Sequence, residues 1–299
     1  GDVYYANGMW SRPADMEDCI TYAGTTATGV VAPVAAKETG DTDLSASFVA
    51  KPYTGIKVLD VFYEAGFWSP SGSSIVNACK TASGSSPIGV VFKVGTSTYD
   101  TNAGFSHAYV MAFKDANTEC NLWAAASSAW GTNKTTDVMT LDTPSPTEAQ
   151  VVQFIKEDLD GYKHCLTAKS AVTTFSTSNL PAMFYAENFG TSVSTPTLSS
   201  GWYLPSIGQW YEFLLAFSNG YATSAYSYRG TNYYDFSFTA GNSANILNAI
   251  NATYTSVGVE FDSMVNNHSA GHISFWSSTE VDGTHAYSFL CNGSMAFMH

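Results

Sequence analysis

The chain has 299 residues, 45% of them hydrophobic, enough to bury one large core or two ordinary ones, which argues against a disordered polypeptide. Its net charge of −13, with only 12 Lys plus Arg, repels phosphate backbones and anionic lipid heads, so nucleic acid is not expected as a partner. Charged residues make up 12%, while Gly, Ser, Thr, Asn and Tyr are plentiful, a mixture that predicts a β-rich, loop-rich fold.

No run approaches the ~18 consecutive apolar residues of a membrane span, so membrane insertion is not expected. The opening GDVYYANG has no basic or apolar leader, which leaves room for a signal or lipid anchor removed upstream of Gly1. Five cysteines (Cys19, Cys79, Cys120, Cys165, Cys291) lie far apart without metal-ligand spacing. Their odd number argues against a disulfide scaffold, and buried small hydrophobes are expected, with one or two bridges left open.

In chain order, an internal repeat comes first. DVYYANGMWS (Asp2 to Ser11) returns as DVFYEAGFWS (Asp60 to Ser69) with Asp, Val, Tyr, Gly, Trp and Ser kept, and CITYAGTTATGVVAPV (Cys19 to Val34) returns as CKTASGSSPIGVVFKV (Cys79 to Val94). Two copies are too few for a solenoid, so a duplicated β-unit is expected: strand, Gly turn, loop and second apolar strand, with Trp10 and Trp68 as core anchors. The first copy defines a β-rich N-terminal unit over 1–57, ahead of a larger domain over 58–299.

HAYVMAFKDA (His107 to Ala116) alternates as a strand. A helix start falls at Ser145-Pro146-Thr147-Glu148, with a stop near Asp160-Gly161. NLPAMFYAENFG (Asn179 to Gly190) suits a short helix capped by Asn, and IGQWYEFLLAF (Ile207 to Phe217) presents an apolar helical face after the Pro205-Ser206 turn. Residues 218–271 read as a long insertion with one helix around Ala244 to Asn251. HISFWSSTE, THAYSFLC and SMAFMH close the chain as three strands, separated by the hairpin signals Asp282-Gly283 and Asn292-Gly293.

The combination of WYLPSIGQWYEFL, FWSSTE and AYSFLCNG resembles the bacterial C-type-lectin-like domains of the Legionella collagen-like-protein C-terminal family, as found in secreted or fimbrial proteins of gut Bacteroidetes. It is also similar to variable receptors of diversity-generating retroelements. The resemblance runs from about Asp60 to the C-terminus. It implies an α+β, C-type-lectin-like fold in which two helices, here Ala182 to Gly190 and Ile207 to Phe217, flank twisted antiparallel sheets with large loop insertions. It further implies a secreted or outer-membrane surface-anchored recognition and adhesion module, with a host or bacterial glycan or surface protein as partner. Family members continue into a further closing strand where this chain reads Ala296 to His299, which predicts a sheet left open beside its last strand. Strand addition by a partner would then complete a homo-oligomer or pilus subunit. The Glu-Pro-Asn, Gln-Pro-Asp and Trp-Asn-Asp motifs of calcium-dependent sugar binding do not occur, so no metal or cofactor is expected.

Catalytic patterns are sparse. G-x-S-x-G, H-E-x-x-H, the phosphate-binding Gly-Lys loop and the dinucleotide fingerprint are missing, and His268 and His272 flank Gly271, which disfavours a zinc-binding helix. Formylglycine-generating oxidases share a related fold but need a cysteine pair, and here only Cys291 lies in the corresponding region. No enzymatic activity is therefore expected.

The strongest binding candidate is the run from Tyr221 to Phe238, where tyrosines alternate with small polar residues, the composition of an adaptable paratope. Candidate ligand-binding residues are Tyr226, Tyr228, Arg229, Tyr233, Tyr234 and Asp235, with Arg229 suited to orient a carboxylate or sulfate. Glu280, Asp282, His285 and Asn292 join them as a polar rim on the closing hairpins. Trp276 is expected in the core.

Overall fold

A computed structural model of the chain describes residues 4–6, 9–11, 34–35, 56–117, 123–124, 147–197, 199–219, 225–228, 234–237, 240–259, 272–282, 285–292 and 295–298. The fold is α+β, with antiparallel sheets and intervening helices. Strands β1 (Tyr4–Ala6), β2 (Met9–Ser11) and β3 (Val34–Ala35) form a sheet in the order β2–β1–β3. The second copy of the repeat lays out β4 (Val61–Tyr63), β5 (Trp68–Ser69) and β6 (Pro87–Val94) in the corresponding order β5–β4–β6, with β7 (Ala108–Ala112) added beyond β6. The hairpins differ by one residue in register: Tyr5 pairs with Trp10, whereas Phe62 pairs with Trp68. Trp68 is a core anchor, 4% exposed.

Between β5 and β6 the chain forms a helix, α1 (Ser73–Ser83), where a loop was predicted. Its buried stripe includes Val76 and Cys79, flanked by Ile75 and Ala78, and its Ser, Thr, Asn and Lys carry little periodic signal. The short α2 (Thr98–Asn102) follows, its N-terminus capped by the Ser97 hydroxyl, which accepts from the Asp100 N–H at 3.1 Å.

Helix α3 (Glu148–Glu157) begins at the predicted Thr147, which forms a capping box with Gln150. It ends near the predicted stop, but the chain then enters an unforeseen helix, α4 (Gly161–Ala171). In α5 (Pro181–Asn188) proline occupies the first turn, as expected. Asn179 is not its cap: Leu180 holds that position, and the Asn179 amide donates to the Thr174 carbonyl at 2.5 Å. A 3₁₀ turn, Phe189–Thr191, ends the segment.

Helix α6 (Ile207–Phe217) is the centre of the molecule. Its Trp210, Phe213, Leu214 and Phe217 are buried, and it packs on both larger sheets. On one side Phe213 meets Phe92 of β6 edge-on at 6.2 Å, and on the other Trp210 stacks on Phe289 at 4.8 Å. Aromatic contacts of this kind add roughly 0.5–1.5 kcal/mol each beyond area burial.

Residues 218–271, read above as an insertion, contribute β8 (Ala225–Tyr228), β9 (Tyr234–Ser237) and α7 (Ala240–Ser256). Ile246, Leu247, Ile250 and Tyr254 of α7 are buried in the same core as α6, and the Tyr254 hydroxyl donates to the Ala112 carbonyl at 2.9 Å. The closing strands β10 (His272–Asp282), β11 (His285–Asn292) and β12 (Met295–Met298) form the expected hairpins. The five-stranded sheet runs β10–β11–β12–β9–β8. The expectation of an open side beside β12 is therefore corrected: β9 occupies that place, pairing Phe297 with Ser237 and Met298 with Phe236. Among the described residues, no helix is long and apolar enough to cross a membrane.

Candidate functional site

The two motifs that carried the resemblance meet in a buried polar junction. Ser206 caps α6 through a capping box with Gln209, and its hydroxyl also donates to the Asp158 carbonyl at 2.6 Å. The Gln209 amide donates to the Leu159 carbonyl and the Tyr203 hydroxyl, each at 2.9 Å. From β10, the Ser278 N–H donates to the Pro205 carbonyl at 2.8 Å, and the Thr279 hydroxyl donates to Asp158 Oδ2 while accepting from the Ile207 N–H at 2.9 Å. His164 of α4 completes the set, with Nε2 3.4 Å from Asp158 Oδ1 and Nδ1 3.1 Å from Ser278 Oγ.

Asp158, His164 and Ser278 are thus connected as an acid–base–nucleophile chain would be, and that order raises the question of catalysis. All three are at most 1% exposed. The Ser278 hydroxyl is enclosed by its partners, so in this structure the chain of contacts ties α3, α4, α6 and β10 together and offers no face to a substrate. Burial raises the Asp158 carboxyl above the ordinary range, and the nearby His164 partly opposes the rise. Of this junction, only the Ser206/Gln209 capping box carried a local sequence signal. Asp158, His164, Ser278 and Thr279 come together from distant parts of the chain.

Strand β10 is covered on both faces, which accounts for its Phe-Trp-Ser-Ser-Thr run. Phe275 lies 5.4 Å from the Trp210 ring, while Trp276 packs with the second apolar cluster of Cys165, Ala168, Leu180 and Met183. Trp123 joins that cluster and donates its indole N–H to the Ser277 carbonyl at 2.7 Å. Trp276 is therefore structural, as expected. Glu280 was expected on a polar rim, but it is fully buried, at 0% exposure. The strand is covered on both faces here, Ser277, Ser278 and Thr279 being buried as well, and its pairing with β11 is irregular between Trp276 and Glu280.

The remaining candidate residues separate by register. Tyr226 pairs with Phe236 and Tyr228 with Tyr234, Phe236 pairs with Met298, and Met298 with Phe289. Residues directly opposite share a face, so positions 226, 228 and 234 fall on the side of the sheet occupied by the buried Phe289. Positions 227, 235, 237, 274 and 292 fall on the other side, which Trp276, Leu290, Met295 and Phe297 share. Asp282 and His285 pair at the far end of the β10–β11 hairpin. Arg229 and Tyr233 lie outside the described residues.

Cys291 sits on β11 opposite Ile273 and Ala296. Cys79 and Cys165 are buried, and burial pushes the Cys165 thiol up to about 12, which suppresses thiolate chemistry. Among the described residues, no group of three or more His, Cys, Asp or Glu is placed to hold a metal ion.

No family model matches the chain, and no curated protein sequence matches it. Among solved structures, a fimbrial protein from Bacteroides ovatus is similar at a TM-score of 0.48 and 14% identity, over 81% of this chain and 48% of that one. The chain thus spans about half the length of that structure.

Proposed function

We propose that the chain is a surface-exposed recognition or adhesion module of C-type-lectin-like architecture, binding a glycan or protein without catalysis. The observation that carries this reading is the end of the C-terminal sheet. The tyrosine-rich segment forms its last hairpin, and β8 has no further strand beside it among the described residues. At that hairpin, register places Ser227, Asp235 and Ser237 on one side and Tyr226, Tyr228 and Tyr234 on the other, short polar groups and phenols of the kind that hydrogen-bond with hydroxyls or peptide. The test is an array of host and bacterial glycans and matrix proteins, probed with the wild type, with Asp235→Ala/Asn292→Ala and with Tyr226→Ala/Tyr228→Ala. The Asp235→Ala/Asn292→Ala variant is expected to lose at least about tenfold in binding, one broken hydrogen-bonded contact costing roughly 1.4 kcal/mol. Undiminished binding by that variant removes these two positions from the site.

A second reading is favoured by the same edge: an envelope or pilus subunit completed by strand addition, at β8 in place of the C-terminal strand expected from sequence. Sedimentation of the wild type against Ser227→Lys, which places a charge on the edge strand, separates the readings. Self-association abolished by the lysine supports assembly, and a monomer at all concentrations supports recognition.

A further inference from the structure

At the corner where α2, β7 and the α3–α4 junction meet, the Tyr109 hydroxyl has more acceptors than it has hydrogens. It accepts the Ser97 N–H at 2.9 Å, lies 2.6 Å from Asp100 Oδ2 and is 3.1 Å from the Leu159 carbonyl. A phenol owns a single proton. If Asp100 were ionised, that proton would have to serve a carboxylate and a carbonyl at once. Asp100 is 2% exposed, and its Oδ1 is buried without a hydrogen-bond partner. A carboxylate so placed leaves half its charge unsolvated, a far larger cost than an unpaired neutral oxygen.

We infer that Asp100 keeps a proton in the folded chain at pH values where an ordinary aspartate has lost it, and that this proton latches α2 and β7 to the α3–α4 junction. With the proton on Oδ2, Asp100 donates to the Tyr109 hydroxyl, the hydroxyl donates to the Leu159 carbonyl, and the Ser97 N–H donates to the hydroxyl. Every hydrogen then has one acceptor. The Leu159 carbonyl also accepts from Gln209, so the latch continues into the junction that holds Ser206, Asp158 and Thr279.

The groups around this corner set the balance. Burial is the main effect raising the Asp100 carboxyl, and Asp160, from the junction, adds a repulsive charge. The Tyr109 and Ser97 hydrogen bonds and His164 on α4 oppose it. Tyr162 on α4 and Tyr203 both have hydroxyls raised chiefly by burial, with the Asp100 charge contributing, and Lys163 of α4 lies 5.6 Å over the Tyr99 ring on α2. Because the folded carboxyl binds its proton more tightly than the unfolded one, the latch contributes at acid pH and is lost as pH rises through the folded value.

Carbon-13 NMR titration of the assigned Asp100 carboxyl in the wild-type chain tests this directly. A midpoint clearly above the ordinary aspartate value of about 3.9 is expected, and a midpoint at or below it overturns the inference. The isosteric Asp100→Asn supplies a permanent donor to Tyr109. Its melting temperature should match or exceed wild type by about 2–4 °C at pH 8, with the gap narrowing toward acid pH. A deficit of the same size at every pH contradicts the latch, and the wild-type titration stands even if the variant fails to fold.

Discussion

His164 shows how much of this molecule depends on single buried contacts. Its imidazole is 1% exposed and bridges Asp158 of one helix end to Ser278 of β10. Removing it leaves a buried carboxylate facing only hydroxyl and amide partners. His164→Ala should therefore cost about 3–5 kcal/mol in denaturant unfolding at pH 7.5. The deficit should shrink at acid pH, where Asp158, already raised by burial, takes up a proton. A loss below about 1 kcal/mol would remove the junction from the stability of the fold. None of this was legible in sequence, because a lone His and a Ser-Ser-Thr run have many bland meanings until the fold brings them together.

At the scale of elements, the sequence told most where local chemistry and periodicity agreed. The helix start at Thr147, the apolar face of Ile207–Phe217 and the closing hairpins are present as read. Helices α1, α2 and α4 were not read, since α4 hides its buried face behind His164, Cys165 and Ala168, an unremarkable mixture by hydropathy. The tyrosine-rich run was read as a loop because its Ser, Thr, Gly and Asn match turn composition, whereas pairing with β12 makes it strand. The junction of α3 and α6 supplies the test at this scale. A Cβ on Gly208 would overlap the backbone carbonyls of Asp158 and Ile155, which cannot yield as a flexible side chain does. Gly208→Ala should destabilise by about 1–3 kcal/mol through helix displacement, read by chemical denaturation. An unchanged midpoint would mean that α3 and α6 separate freely.

For the whole molecule, charge and burial act in one direction. Burial raises the Asp60 carboxyl to about 6 and lifts Asp100 and Asp158 as well, so the folded state binds protons that the unfolded state releases. Stability from these groups is present at acid pH and lost as pH rises through the folded values. The net charge of −13 also diminishes toward the isoelectric point of about 4.6. The melting temperature should accordingly rise as pH is lowered from 8 toward 5, and a monotonic fall by calorimetry would contradict this.

The recognition reading is a claim about one end of one sheet, and hydrogen exchange reports on that end. Exchange would be recorded on the chain alone and with the glycan or matrix protein that it binds most strongly on the array. The account predicts slowed exchange across 225–228 and 234–237, extending to the neighbouring β12. Protection confined to the β5–β4–β6–β7 sheet, or an array on which nothing binds, would contradict it.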